Sequence, residues 1–245
     1  MLSLERQNAL REEYRALNPG WRPATEVYAD LVRAHLQPDA SVLDLGCGRG
    51  GLVEQLHHPL AQIAGVDPDE LSLHEHRLAL PRAVAFSDAL PFAKDSFDVV
   101  FASWLLEHLA RPFLTFEQIS RVLKPSGVFV FITPNSRHPL SILNRGLGRF
   151  SQIQGRLVER FYGRAEADAF PTFYRANSET AVAHLCQKCH LAIKTLHFIP
   201  DPTYLAFNQA FFNFMIWFDN QLADNRQLHM VGCLVKHGIQ SPHNA

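Results

Sequence analysis

Short apolar runs alternate with helix-patterned segments through the middle of the chain. The segments 50–58, 69–80 and 112–124 carry the three-to-four residue spacing of helices. The apolar runs between them are rich in β-branched and aromatic residues, as buried parallel strands are. They predict five strands: SVLDL (41–45), AQIAGV (61–66), RAVAF (82–86), FDVVFA (97–102) and GVFVFI (127–132). This alternation predicts an α/β fold with a mostly parallel sheet and right-handed crossovers.

The flanking regions follow a different pattern. Helical spacing predicts two N-terminal helices, over 4–17 and 25–36, with Thr25 as the N-cap of the second. Beyond Pro134 we expect a helical cap insertion and then a helix capped by Ser178. Two more strands, 191–199 and 227–237, flank an aromatic helix at about 203–220, which completes a seven-stranded sheet.

We therefore predict one domain over residues 1–245 with four parts along the chain. They are the N-terminal helices (1–38), a core (40–134), the cap insertion (135–177) and a C-terminal helix with a strand hairpin (178–237).

The strongest local signal is the segment VLDLGCGRGG, residues 42–51. A strand runs into a glycine-rich turn, where the backbone can approach a ligand closely, and a helix follows. Gly46, Gly48 and Gly51 also satisfy the GxGxxG spacing of dinucleotide-binding proteins, and Asp67 lies about 20 residues further on. The turn alone does not decide between NAD and S-adenosylmethionine.

Asp44 favours the second of these cofactors. It is an acid at the end of an otherwise apolar strand. A carboxylate there suits a cofactor with a cationic amino group and a sulfonium, and it would repel a pyrophosphate.

Three further motifs follow in order: GVDPD at the end of the second strand, FSDALPF after the third, and FDVVFASWLLEHL across the fourth. RVLKPSGVFVFITPN then supplies a helix, a turn and the fifth strand. With these motifs, residues 40–135 closely resemble the class I S-adenosylmethionine-dependent methyltransferases. The resemblance is to the small-molecule branch that includes ubiquinone and menaquinone biosynthesis enzymes. It implies a Rossmann-like sheet with an antiparallel last strand.

The resemblance also implies a set of cofactor-binding residues, each of which has a turn or capping role as its alternative. Asp67 would bind the ribose hydroxyls, and Asp88 would accept a hydrogen bond from the adenine amino group. The full set implied is Asp44, Gly46, Cys47 and Gly48 at the methionine and ribose end, Asp67 and Pro68 beside ribose and adenine, Asp88 and Ala89 at the adenine, and Ser103 and Trp104 beneath the sulfonium.

Methyl transfer from a sulfonium requires mainly positioning and desolvation, because the cofactor is already activated. His108, just past the fourth strand, is the candidate general base if the acceptor must lose a proton. A role in the wall of the cofactor site is its alternative. We find no His, Cys or Asp cluster with metal-ligand spacing, and we interpret the Cys186–Cys189 pair as two small residues on a helix.

Residues outside the resembled core would form the acceptor pocket. Trp21, Tyr174 and Arg175 are the candidate acceptor-binding residues, although the last two could equally tie the insertion to the core. The aromatic helix would either pack on the sheet, line an apolar pocket, or form a homodimer interface. Its apolar face is predicted to carry Tyr204, Phe207, Phe211, Phe214, Met215 and Phe218.

The cap insertion is locally basic. Between residues 137 and 164 it carries six arginines and one acid, Glu159. If it is wound as one helix, four of the arginines share a face: Arg145, Arg149, Arg156 and Arg160. Such a helix could contact an anionic membrane surface or form an ordinary cap with a solvated arginine face.

Composition limits the remaining function classes. A formal net charge of −1 gives no overall attraction for nucleic acid, so we expect no nucleic-acid partner. The charged N-terminal segment and the lack of a run of roughly 18 apolar residues predict a cytoplasmic protein, peripheral to a membrane if the basic helix binds one.

The function predicted is methylation of a small, lipid-like or aromatic acceptor with S-adenosylmethionine as the methyl donor. A catalytically silent cofactor-binding or regulatory homologue is the first alternative, and a protein or RNA methyltransferase is the second.

Overall fold

The computed structural model of the protein describes residues 4–147, 170–203, 206 and 208–237. Within these ranges the α-helices are α1 (Leu4–Leu17), α2 (Ala24–Arg33), α3 (Glu70–His74), α4 (Pro112–Val122), α5 (Pro139–Leu147), α6 (Glu179–Lys188) and α7 (Gln209–Asp219). The strands are β1 (Val42–Leu45), β2 (Ile63–Asp67), β3 (Arg82–Val84), β4 (Phe97–Ser103), β5 (Leu123–Pro134), β6 (Leu191–Ile199) and β7 (His229–Lys236).

All seven strands form one sheet in the order β3-β2-β1-β4-β5-β7-β6. Strands β1 to β5 are parallel, whereas β7 lies antiparallel between β5 and β6. The expected Rossmann-like fold with an antiparallel last strand is confirmed. The strand order reverses between β1 and β4, and open α/β sheets bind ligands beyond the carboxyl ends of the strands at such a point.

The sheet is covered on both faces. Helices α4 and α6 pack on one face through residues such as Phe116, Ile119 and Val182. Helix α2 covers the other face through Tyr28 and Val32. The carboxyl edge of the sheet therefore remains the place where polar side chains can meet a ligand.

A third, smaller cluster joins α1 to α7 at the carboxyl edge. Leu10 and Tyr14 of α1 pack against Ala206 and Phe212, with Trp21 beside them. The N-terminal helix is thus held against the aromatic helix.

Several expected helix boundaries were wrong. Helix α2 begins at Ala24 after Pro23, and no side chain caps it, so Thr25 is not the N-cap. In place of a helix over 50–58 the structure has one 3₁₀ turn, Leu52–Gln55, because Gly50 and Gly51 adopt positive φ. The predicted cap at Ser178 is confirmed by its bond from the Ala181 amide (3.3 Å).

Helix α3 ends at His74, earlier than its spacing predicted. The backbone amides that would extend it bond elsewhere: that of Arg77 donates to Arg49 O (3.1 Å) and that of Leu78 to His76 Nδ1 (3.1 Å). The first of these bonds joins the segment after α3 to the glycine turn, and the second is local, so both amides are paired without a longer helix.

The aromatic helix is shorter than predicted, and part of its predicted face was wrong. It begins at Gln209, because the Asn208 side chain caps it through the Phe211 amide (2.8 Å). Phe212 is buried, whereas Phe214 is 48% exposed. Tyr204 and Phe207 lie outside the described residues.

Most of the basic insertion also lies outside the described residues, including Arg149, Arg156, Arg160 and Arg164. Its first part forms α5, on which Arg145 is exposed. Within the part of the chain that the structure describes, no helix has the length and apolarity needed to cross a membrane.

Gly232 in β7 gives a test of the sheet packing. It pairs with Phe131 of β5, and a Cβ there would collide with the Phe131 ring. We expect Gly232→Ala to lower the free energy of unfolding in urea by about 1–3 kcal/mol, because the buried ring has no room to move. Phe131→Leu removes the end of the ring, so the double variant should lose less than the two single losses combined. Strictly additive losses would contradict this packing.

Candidate active site

The glycine turn after β1 is fixed to the end of β2 by its backbone. The amides of Gly46 and Cys47 both donate to Val66 O, at 2.8 and 3.1 Å. Gly46 and Gly48 adopt positive φ, of 77° and 47°. A Cβ at Gly46 would lie 3.2 Å from Leu105 Cδ1, so the turn also depends on close approach to the segment after β4. Glycine, which has no Cβ, is therefore suited to positions 46 and 48, where the turn lies at the carboxyl edge of the sheet.

Asp44 is buried at the end of β1 and is the most perturbed carboxyl group of the site. Burial, followed by the charge of the neighbouring Asp67, raises the pKa of Asp44 to about 8. No hydrogen bond from the described residues offsets that cost. A buried carboxylate of this kind is stabilised by a cationic ligand, because the ligand restores the interactions that water would have made.

Asp67 is held rigidly at the end of β2. Its Oδ2 accepts the amide of Gly48 (2.9 Å) and its Oδ1 accepts the amide of Asp69 (2.9 Å). Each oxygen retains a second lone pair. The side chain thus joins the glycine turn to β2 and can still accept hydroxyl groups from a ligand.

Cys47 lies between these two acids, but its side chain points into the protein. The residue is buried, and a Cβ at Gly65 would lie only 2.8 Å from its Sγ. Burial, with Asp44 and Asp67 nearby, raises the pKa of the Cys47 thiol to about 12. Only the Cys47 backbone can therefore face a cofactor.

The predicted adenine residues lie after β2 and β3. Pro68 and Ala89 are exposed, whereas the Asp88 carboxylate is paired with Arg111 Nη2 at 2.6 Å. The Arg111 pair was not anticipated from the sequence, because 23 residues separate the two. Asp88 can still accept a hydrogen bond through its other oxygen.

Ser103 and Trp104 end β4 beside Asp44. The Ser103 hydroxyl donates to Tyr28 Oη (3.0 Å), and the Asp44 charge contributes to raising the pKa of the buried Tyr28. Tyr28 is a site residue that sequence reasoning missed, because it lies on α2, far from the motifs. Trp104 adopts φ 55° and stays 36% exposed, with its ring against His229 (5.2 Å between centroids).

His108 and the end of the insertion are tied together. His108 Nδ1 lies 3.0 Å from Pro171 O, and the amides of Phe173 and Tyr174 donate to Glu107 O. Arg175 Nη1 donates to Ala110 O (2.6 Å). These contacts bring His108, Tyr174 and Arg175 together, and they favour the interpretation in which Tyr174 and Arg175 tie the insertion to the core.

Trp21, the remaining candidate, lies between α1 and the end of β6. Its Nε1 donates to Pro200 O (3.0 Å), and its ring packs edge-on against Tyr14 (4.8 Å). It therefore holds α1 against the end of β6.

The cysteine pair and the histidines show no metal site among the described residues: no group of three or more His, Cys, Asp or Glu is arranged to hold an ion. Cys186 and Cys189 are buried in the core, and burial raises the pKa of their thiols to about 12 and about 11.

Comparison with known proteins identifies a domain family for the segment from β1 to β5. Residues 43–131 match the model of a methyltransferase domain, which spans β1 to β5 and the glycine turn. By this match, residues 43–131 are a methyltransferase domain.

The relatives of this methyltransferase domain match different shares of the chain. An uncharacterized methyltransferase of Bacillus subtilis, YodH, is 34% identical over 119 residues, which are 46% of this chain and 51% of that protein. The chain therefore spans about half the length of this relative. A ubiquinone biosynthesis O-methyltransferase of Chromobacterium violaceum is 28% identical over 176 residues, 59% of this chain and 75% of that protein.

Solved structures share the fold at low sequence identity. A geranyl diphosphate C-methyltransferase of Streptomyces coelicolor aligns with a TM-score of 0.61 and 16% identity, covering 96% of this chain and 83% of that one.

Asp44 makes the stability of the ligand-free protein depend on pH. Its folded pKa of about 8 lies above the unfolded value of about 3.9, so the folded state binds the proton more tightly. The contribution of protonated Asp44 to the free energy of unfolding is complete below the unfolded pKa and is lost as the pH rises toward 8. Between about pH 5 and pH 8 we expect Asp44 to reduce the free energy of unfolding by roughly 1 kcal/mol per pH unit.

Asp44→Asn should therefore stabilise the ligand-free methyltransferase domain, and more so at high pH than at low pH, in urea denaturation. Asp39→Asn, which changes an exposed acid just before β1, should leave the pH dependence as in the parent protein. A difference between Asp44→Asn and the parent that stays constant with pH would contradict the account.

Proposed function

We propose that this protein transfers a methyl group from S-adenosylmethionine to a small-molecule acceptor. The observation that carries the proposal is the pair Asp44 and Asp67, which flank the glycine turn at the switch point of a methyltransferase domain. One carboxyl group is buried and lacks a hydrogen bond from the described residues, and the other is fixed with free lone pairs.

These residues fit the two ends of the cofactor. Asp44 would stabilise the cationic methionine end, because its burial makes a nearby positive charge favourable. Asp67 would accept the ribose hydroxyls, while Gly46 and Gly48 let the backbone approach. A homologue that bound no cofactor would gain nothing from a buried carboxyl group at this position, because burial of that group destabilises the protein when no ligand compensates it.

The adenine and the sulfonium would lie at opposite ends of the same edge. Asp88, held by Arg111, would meet the adenine amino group beside Pro68 and Ala89. Ser103 and Trp104 would lie beneath the sulfonium, where Tyr28 orients the serine hydroxyl. The bound cofactor supplies an activated methyl group, so the protein contributes positioning and exclusion of water.

The acceptor is proposed to be lipid-like or aromatic. Relatives named for ubiquinone biosynthesis and for geranyl diphosphate methylation support a small molecule over a protein or RNA. The formal net charge of −1 likewise gives no broad attraction for RNA. His108 as a general base, membrane contact through the basic insertion, and a homodimer stay predictions of the sequence.

Calorimetric titration tests the cofactor assignment. S-adenosylhomocysteine should bind with micromolar affinity and NAD should not. Asp67→Asn should weaken binding at least about tenfold, because it removes charge-assisted hydrogen bonds to the ribose. The matched change Glu70→Gln, at an exposed acid three residues along, should leave affinity unchanged. Tight NAD binding without S-adenosylhomocysteine binding would overturn the proposal.

A further inference from the structure

Four enclosed polar atoms that have no hydrogen bond to any described residue belong to three side chains at the carboxyl edge. They are His138 Nε2, both carboxylate oxygens of Asp219, and His229 Nδ1. Buried polar atoms are hydrogen-bonded as a rule. His138 Nε2 and Asp219 Oδ1 face each other, so the second Asp219 oxygen and His229 Nδ1 are the atoms for which a polar ligand would supply the partners.

These side chains come from segments far apart in the sequence. His138 precedes α5, Asp219 ends α7 and His229 begins β7 opposite Pro134. His138 Nδ1 accepts the Leu140 amide (3.2 Å), so its Nε2 carries a proton and faces Asp219 Oδ1 at 3.5 Å. Each group is buried by tertiary packing and not by its own local structure.

Tyr14 and Asp201 complete this group, which we call the polar cluster: Tyr14, His138, Asp201, Asp219 and His229. Burial and the charges of Asp219 and Asp201 raise the pKa of Tyr14 to about 12, so the phenol keeps its proton. Asp201 is held by the Thr203 amide (3.2 Å) and lies 3.7 Å from Arg11 Nη2.

His229 is the member of the polar cluster whose ring contacts Trp104, the residue expected beneath the sulfonium. Its ring lies edge-on to Trp104, with 5.2 Å between centroids, and it is 8% exposed. Burial lowers the pKa of His229, Asp201 opposes that shift, and Arg11 and His138 add to it. The imidazole is therefore neutral at neutral pH and can accept a hydrogen bond as well as donate one.

The charges around His229 limit what can bind there. Two members of the polar cluster, Asp201 and Asp219, are carboxylates. Arg11 lies at the margin of the cluster and is paired with Asp201. An anionic acceptor group would meet net negative charge in a low-dielectric environment, whereas a neutral hydroxyl would not.

We propose that His229 binds the methyl acceptor through a neutral hydroxyl group, within a polar subsite that Tyr14, Asp201, Asp219 and His138 complete. The proposal rests on the proposed function, because the subsite has a role only if the methyl donor lies beside Trp104. The acceptor class that it selects is a hydroxyl compound and not a carboxylate or a phosphate.

NMR titration of the His229 ring tests its position without knowledge of the acceptor. S-adenosylmethionine carries a positive sulfonium and S-adenosylhomocysteine a neutral sulfur. The titration midpoint of His229 should be lower by about one pH unit in the first complex than in the second, because the nearby positive charge disfavours the imidazolium. His184 is exposed on α6, away from the site, and its ring should not distinguish the two ligands.

Equal His229 midpoints in two complexes that both form would overturn the subsite and leave the proposed function standing. Failure of either ligand to bind would overturn the proposed function itself. The ring can be assigned through its backbone resonances, so the measurement does not depend on a His229 variant that folds.

A size-matched pair of probes tests the acceptor class. Phenol and benzoate differ in a neutral hydroxyl against a carboxylate on the same ring. Added to the S-adenosylhomocysteine complex, phenol should shift the His229 ring resonances in a saturable way, and benzoate at equal concentration should not. Tyr14→Phe should weaken the phenol effect several-fold while leaving S-adenosylhomocysteine affinity unchanged. Saturable shifts with benzoate, or shifts with neither probe, would overturn the proposal.

Discussion

The buried carboxyl group of Asp44 is the constraint on which the organisation of the site depends. It lies at the end of a central strand, where the sheet has removed water, and next to a second acid. Such a group destabilises the ligand-free chain at neutral pH, so it is useful only if a positive ligand compensates it. The glycine turn that follows Asp44 is fixed to Val66 O by two backbone amides.

The proposed site divides into a proposed cofactor side and a proposed acceptor side, which differ in how they are built. The cofactor side is made from strand ends of one parallel sheet, whose hydrogen bonds fix Asp44, Asp67 and Ser103 relative to each other. The acceptor side is made where α1, α5 and α7 meet the start of β7. Variation in these helices can change the acceptor without disturbing the sheet, which is consistent with one fold serving many acceptors.

Much of the sheet could be predicted from the sequence, because buried parallel strands are nearly continuous apolar runs. The residues at their ends could be predicted for the same reason: each motif follows a strand, and the fold brings the carboxyl ends together. Helix lengths were less predictable, since Pro23 and the glycines after Cys47 act through backbone geometry and not through periodicity.

The parts of the proposed site that depend on tertiary packing could not be predicted in the same way. Tyr28 contacts Ser103 across 75 residues, and the partners of His229 lie on segments that carry no motif. A lone buried histidine or tyrosine has no sequence signature, because its environment is made only by tertiary packing.

The central claim is that the carboxyl edge between β1 and β4 binds S-adenosylmethionine through Asp44 and Asp67. A crystal structure with S-adenosylhomocysteine bound tests it most directly. We expect the ribose hydroxyls within hydrogen-bond distance of Asp67, the amino group of the ligand on the side of Asp44, and its sulfur facing the Trp104–His229 pair. A ligand bound elsewhere, or bound at this edge without contact to either carboxylate, would contradict the proposed roles of Asp44 and Asp67.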